Sequence, residues 1–182
     1  MAGGLPGKKS VKKLTESEIR RRARKITLVL TDVDGVLTDT GVYYSANGEE
    51  LKRFSIRDGM GMDLLREQGI ETAMMTREDS PRVAARSKKL GLPYYFAGIM
   101  DKRASLADVL EKTGRTIDEL AYIGDDVNDV DIMKTIAPKG LTGCPSDAMP
   151  AAKGVAHYSA KAAGGHGAFR DFAEWIMKYR NK

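Results

Sequence analysis

From Ile26 the chain alternates between strand-sized apolar runs and longer stretches in which apolar residues recur every three or four positions. The first run, "ITLVLT", leads to "GVYYSANGEELKRF", two β-forming arms around Asn47-Gly48. That pattern predicts a hairpin with a tight turn. A helix from about Gly59 to Gln68 then precedes a second apolar run, "IETAMM". The alternation continues with helix "DSPRVAARSKKLG" before "PYYFAG", and helix "DKRASLADVLEKTG" and a short "TIDEL" turn before "LAYIG". Helix "VNDVDIMKTI" precedes a last small-residue segment near "KGLTGC". Strands alternating with amphipathic helices predict a parallel sheet covered on both faces, a doubly wound α/β domain. In "GAFRDFAEWIMKYR" the residues Phe169, Phe172, Trp175, Ile176 and Tyr179 fall at helical spacing, a pattern for packing rather than for a cofactor. No internal repeat is present.

The chain has 182 residues, 42% hydrophobic and 30% charged, which suits one well-cored domain and not two. Residues 26–182 form the expected domain. Residues 1–25 form a basic tail in which "MAGGLPGKKSVKK" is expected to be disordered, and "TESEIRRRARK" a short helix capped by Thr15 and Glu18. The net charge of +5 invites a nucleic-acid reading, but residues 1–25 carry nine Lys and Arg against two Glu, which leaves the remainder at −2. No aromatic residue is interleaved in that tail to stack a base, so nucleic acid is not the expected partner. No apolar run approaches a bilayer span, and the N-terminus lacks the apolar core of a secretory signal. The single cysteine, Cys144, excludes an internal disulfide and suits a reducing cytoplasm.

In doubly wound sheets, ligands bind beyond the carboxyl ends of the strands. Four such ends carry, or shortly precede, chemically capable residues: Asp32 and Asp34; Thr76; Asp101-Lys102; and Asp125-Asp126, with Asp129 one helical turn on. Any one of them alone reads as a helix cap. Four at one sheet edge converge on a site. Asp32, Asp34 and Asp125 close together cannot all stay ionised without a cation, and hard oxygen ligands select Mg²⁺ over zinc. With the Lys102 ammonium and the Thr76 hydroxyl, the set describes a phosphoryl-binding site. Asp32 is the expected nucleophile, forming an aspartyl-phosphate. Asp34 is placed to protonate the leaving oxygen and then to activate water.

The segments "DVDGVLTD", Thr76, Lys102 and "GDDVND" resemble, in order, the four motifs of the haloacid-dehalogenase (HAD) phosphatases. The resemblance implies Asp32 as nucleophile and Mg²⁺ ligand, and Asp34 as acid/base with its backbone carbonyl on the metal. It also implies Asp125 as a ligand, Thr76 and Lys102 on the phosphate, and Asp126 and Asp129 behind the ligands. From Ile26 nearly the whole chain, including the hairpin segment and "GGHGAFRD", is similar to the capless phosphatases of 3-deoxy-2-ulosonate phosphates. These act on eight-carbon 8-phosphates or nine-carbon 9-phosphates, or form the C-terminal domain of acylneuraminate cytidylyltransferases. Only 41 residues separate Asp34 from Thr76, and the hairpin, one helix and one strand consume them, so a Rossmann-like core with a hairpin flap and no cap domain is expected. The resemblance further implies a homotetramer in which the hairpin and a neighbour's "AAGGHGAFRD" cover the site. Arg170 would then be available for the sugar carboxylate; the alternative is a Gly-rich lead-in to a helix.

At the second motif this chain reads Thr76-Arg77-Glu78, where the family usually carries Thr-Gly-Arg or Thr-Gly-Glu. Glu78, with Arg86 and Lys89, fits the pattern of some nine-carbon members, while octulosonate-type members place Arg at position 78. A carboxylate accepts hydrogen bonds from hydroxyls or an amide, whereas Arg favours anions. Substrate contacts are also expected from Arg57, Asp58, Gly59 and Asp63, although Asp58 equally suits a helix cap. Two rivals share parts of the pattern. A receiver-type phosphoacceptor has the same residue set in a different order along the chain. A non-catalytic assembly domain would not need all four motifs.

Overall fold

The computed structural model describes residue 11 and residues 13–181. Most of the expected disordered stretch, residues 1–13, therefore lies outside the described residues. Six strands form one sheet: β1 (Leu28–Thr31), β4 (Glu71–Met75), β5 (Tyr94–Phe96), β6 (Leu120–Ile123), β7 (Leu141–Cys144) and β8 (Tyr158–Ser159). Their order is β5-β4-β1-β6-β7-β8, and every pairing is parallel. The hairpin, β2 (Val42–Ser45) and β3 (Gly48–Lys52), stands apart as a two-stranded antiparallel ribbon. Ser45 pairs with Gly48, so the turn residues are Ala46-Asn47, one position earlier than expected, and Gly48 opens β3 at a φ of +104°. Among the described residues no helix is long and apolar enough to cross a membrane.

Alternation along β1 sorts the core into two layers, because successive side chains leave a strand on opposite faces. Val29 joins Ala23, Met62, Leu65, Val83, Phe169, Phe172 and Ile176 on one face. These come from α1 (Glu16–Ala23), α2 (Ile56–Glu67), α3 (Pro81–Lys89) and α7 (Ala168–Arg180). Leu28 and Leu30 meet Leu106, Val109, Ile132, Met133, Ile136 and Ala152 on the other. Those belong to α4 (Leu106–Thr113), α5 (Val127–Ile136) and α6 (Pro150–Lys153). The α/β architecture is the one the hydropathy pattern predicts. The helix expected from about Gly59 begins earlier, at Ile56, because the Ser55 hydroxyl accepts from the Arg57 amide and caps it.

The C-terminal helix packs as its spacing predicts. Phe169, Phe172 and Ile176 are fully buried, and Trp175 stacks on Tyr158 with ring centroids 4.8 Å apart. The capping box at Thr15 and Glu18 also forms. Arg22 then reaches across to donate to the carbonyls of Ala137, Pro138 and Gly140, which tie α1 to the end of α5. The helix in the basic segment is thus packed into the domain.

Two glycines allow α7 to approach so closely. A Cβ at Gly61 would lie 3.0 Å from the Arg170 Cα, and one at Gly143, on β7, would lie 2.6 Å from the Phe172 ring. Overpacking of this kind costs about 1–3 kcal/mol. Gly143→Ala is expected to lower the unfolding free energy by that amount in urea titration.

Candidate active site

Parallel register brings three strand ends level. Thr31 pairs with Met74 on one side and with Ile123 on the other, so Asp32, Thr76 and Asp125 emerge at one edge around the central strand. The sheet's topological switch lies there, since the chain fills β4 and β5 to one side of β1 before turning to β6 on the other. Asp32 is 4% exposed; its amide donates to the Ile123 carbonyl, and its Oδ1 accepts from the Val33 amide. Gly35 follows with φ of +89°, and a Cβ there would lie 2.0 Å from Asp125 Oδ2. The glycine of "DVDG" therefore serves both the turn and the approach of the second acidic cluster.

That cluster is built on the first turn of α5. The Asp126 carboxylate accepts from the Val127 amide and closes a capping box with Asp129. Asp129 is fully buried. Its Oδ2 accepts from the amides of Asp125 and Asp126, and its Oδ1 accepts from Tyr122 Oη at 2.6 Å and Lys102 Nζ at 2.7 Å. Lys102, 2% exposed, also meets Asp32 Oδ1 at 2.8 Å. Burial pulls the Lys102 ammonium's pKa down, but the charges of Asp32 and Asp129 outweigh it and hold it above its ordinary value. Burial and the Asp129 charge push Asp32 well above the usual carboxylate range, against the pull of Lys102.

The carboxylates of Asp32, Asp125 and Asp129 offer oxygens all within 4.8 Å of one another. Asp129 is already saturated by its donors, so Asp32 and Asp125 hold the oxygens a cation would find. Asp125 Oδ1 is buried with no hydrogen-bond partner. An all-oxygen set with an orphaned buried carboxylate oxygen fits a hard divalent cation. Burial, then the charges of Asp129 and Asp126, raise Asp125 from 3.8 to about 7.

Thr76 ends β4 at 1% exposure, with its Oγ1 accepting from the Glu78 amide. Arg77, where the family usually has glycine, is not among the positive-φ residues, so it carries no left-handed strain. Asp34 and Glu78 are joined by a residue that the sequence reading missed. Lys52, on β3, places its ammonium 2.8 Å from Asp34 Oδ1, 2.6 Å from Glu78 Oε2 and 3.5 Å from Glu49 Oε2. Nothing local marks this lysine; only the fold brings it over the first loop. Tyr122 was also missed, as an ordinary apolar strand residue.

Several of the other expected substrate contacts are engaged with groups of the protein itself. Asp58 is 2% exposed and its Oδ1 accepts from the Arg170 amide at 3.0 Å, capping the first turn of α7. Arg86 donates to the Ser55 carbonyl and lies over the Phe54 ring, in space that Gly59 leaves free. Asp63 pairs with Arg66, and the Arg170 side chain pairs with Glu174. Arg57 and Lys89 are exposed, Lys89 in the last turn of α3. The Gly164-Gly165 segment, expected to reach a neighbour's site, packs on its own chain: the Gly165 amide donates to the Val36 carbonyl. A Cβ at Gly164 would lie 2.0 Å from the Gly35 carbonyl oxygen, so this glycine pair backs the loop that follows Asp32.

The raised Asp125 predicts a pH effect on the metal-free protein. Between 3.8 and about 7 the folded state holds a proton that the unfolded state has lost. The stability that this proton confers is complete below 3.8 and is lost as pH rises towards about 7. With divalent ions chelated, thermal melts should therefore show the wild type falling behind Asp125→Asn between about pH 5 and about pH 7.

No protein-family model matches the chain. Among curated proteins, the 3-deoxy-D-manno-octulosonate 8-phosphate phosphatase of Haemophilus influenzae is 35% identical over 164 residues, which cover 90% of this chain and 89% of that protein. The cobalt-bound structure of the deoxy-D-mannose-octulosonate 8-phosphate phosphatase from the same organism has a TM-score of 0.83 at 35% identity, covering 88% of this chain and 92% of that one. The Moraxella catarrhalis 3-deoxy-D-manno-octulosonate 8-phosphate phosphatase, in complex with a magnesium ion, a phosphate ion and a KDO molecule, has a TM-score of 0.84 at 34% identity, covering 91% of this chain and 93% of that one. With this identity across nearly the full length of each partner, on a capless α/β core whose acidic edge has been described, the chain belongs to the HAD superfamily and to its family of 3-deoxy-D-manno-octulosonate 8-phosphate phosphatases.

Proposed function

We propose that this chain is a cytoplasmic, Mg²⁺-dependent phosphomonoesterase that removes the terminal phosphate of 3-deoxy-D-manno-octulosonate 8-phosphate through an aspartyl-phosphate on Asp32. The observation that carries the reading is the Asp32 carboxylate, bound to the Lys102 ammonium at 2.8 Å beside the partnerless Asp125 Oδ1. Asp32 and Asp125, with the Asp34 backbone carbonyl, would hold the ion. Bound there, Mg²⁺ supplies charge neutralisation and polarises a phosphoryl oxygen.

The remaining roles belong to the protein's own groups. Asp32 attacks phosphorus, aligned by the Val33 amide on its Oδ1. Lys102, anchored by Asp129, sets positive charge where charge develops on the transferring phosphoryl. The Thr76 hydroxyl donates to a phosphoryl oxygen. Asp34, its side chain 34% exposed and nearer solvent than Asp32, gives a proton to the leaving alkoxide and then takes one from the water that hydrolyses the acyl phosphate.

The eight-carbon substrate is favoured by the relatives named above. A homotetramer that covers the open edge is supported by the distribution of exposed apolar side chains. Among the described residues, the large hydrophobics left exposed are Val42, Tyr43, Tyr44, Leu51, Ile56, Met60, Met100, Val127 and Met149. All lie on segments leaving the carboxyl ends of strands. Apolar surface concentrated around an uncapped site suits burial by neighbouring subunits.

Two measurements test the proposal. Asp32→Asn is expected to lower phosphate release by about three orders of magnitude or more with an unchanged circular dichroism spectrum; retained turnover would remove Asp32 from the nucleophile role. Assayed side by side, the eight-carbon 8-phosphate should exceed nine-carbon 9-phosphates in kcat/KM. The opposite ranking would assign the nine-carbon substrate, and poor turnover of both would overturn the sugar assignment.

A further inference from the structure

The hairpin flap carries one cation screened from solvent, and its two shortest contacts lie outside the flap. Lys52 Nζ lies 2.8 Å from Asp34 Oδ1 and 2.6 Å from Glu78 Oε2, with its side chain fully screened from solvent. Asp34 has only one other side-chain contact among the described residues, a long one of 3.5 Å from Thr38 Oγ1. The ammonium is therefore what orients the Asp34 carboxylate. The same strand is tied to the start of α3 by Ser80 Oγ donating to Glu49 Oε1 at 2.8 Å and by Arg82 Nε donating to the Glu50 carbonyl at 3.1 Å. Among the described residues β3 pairs only with β2, so these polar links, and not a sheet ladder, attach the flap here.

We propose that Lys52 is a positioning residue for the phosphatase reaction: its ammonium locks the flap onto the site and holds the Asp34 carboxylate where it must exchange protons with the leaving group and with water. Three carboxylates, those of Asp34, Glu49 and Glu78, converge on this single cation. Without it they repel one another, so the flap lifts and Asp34 loses its orientation. Asp32, Lys102 and Asp125 are untouched by the change, so binding of the phosphate persists while proton transfer suffers.

This inference rests on Asp34 as the proton carrier, and the experiment separates the two ideas. Lys52→Met, Asp34→Asn and the double variant are compared by steady-state kinetics on 3-deoxy-D-manno-octulosonate 8-phosphate, and Lys52→Met by hydrogen exchange. Lys52→Met is expected to lower kcat by about 10–100-fold, the usual cost of losing the group that orients a functional ligand, with KM nearly unchanged. In the Asp34→Asn background the same change should cost almost nothing further, because the two residues act as one unit. Amide exchange should accelerate across residues 42–52 and stay unchanged in β1, β4 and β6, a readout independent of turnover that also reports a folded core. Lys52→Arg, which keeps the charge, should recover part of both effects. An unchanged kcat in Lys52→Met, an equal loss in the Asp34→Asn background, or unaltered exchange across the hairpin would each overturn the role of Lys52. Full activity in Asp34→Asn alone would instead overturn the reading of Asp34.

Discussion

Three carboxylates crowd within 4.8 Å at the end of the central strand, against one buried ammonium. That excess of negative charge is the constraint on which the rest of the structure depends. Buried like charges repel strongly unless a counter-charge or hydrogen bonds compensate. The protein compensates one of the three completely: Asp129 receives Tyr122, Lys102 and two backbone amides. It leaves the other two short. Asp32 shares Lys102, and Asp125 keeps an oxygen with no donor. The shortfall is what a divalent cation would supply.

Much of the surrounding fold serves to make that crowding possible. Gly35 and Gly124 vacate the space that Asp125 and Asp129 occupy, with added Cβ atoms meeting them at 2.0 Å and 2.4 Å. The Gly164-Gly165 segment supports the same loop from behind and hands the chain to α7, whose first turn is capped by Asp58 from α2. Backing segment, α7 and the loop after Asp32 therefore support one another. The edge itself stays open, flanked by the exposed side chains of Ile56, Met100, Val127 and Met149. An uncapped edge of this kind admits water.

The legible parts of the sequence were those governed by local rules. Strand-helix alternation gave away the doubly wound sheet, Asn47-Gly48 the hairpin, and Thr15 with Glu18 the first helix cap, because each depends on residues close in sequence. The acidic motifs could be read for a related reason: strand ends fix where Asp32 and Asp125 emerge. What stayed hidden depended on distant partners. Asp58 caps a helix more than a hundred residues away, Lys52 meets Asp34 and Glu78 across two loops, and Tyr122 hides a hydroxyl contact to Asp129 inside an apolar strand. Arg86, expected as a substrate contact, also lies over the Phe54 ring and donates to the Ser55 carbonyl. A charged residue on a helix can serve a neighbour's backbone as readily as a ligand, and sequence spacing does not distinguish the two.

The central claim is that the buried carboxylates demand a divalent cation, with Asp125 as the ligand that must be freed of its proton. Calorimetric titration of Mg²⁺ into the metal-free protein at about pH 7, repeated in two buffers of different ionisation enthalpy, tests it most directly. Since Asp125 sits at about 7 without the ion, the account predicts saturable binding accompanied by proton release, both lost in Asp125→Asn. Binding that releases no proton, or that survives unchanged in Asp125→Asn, would contradict it.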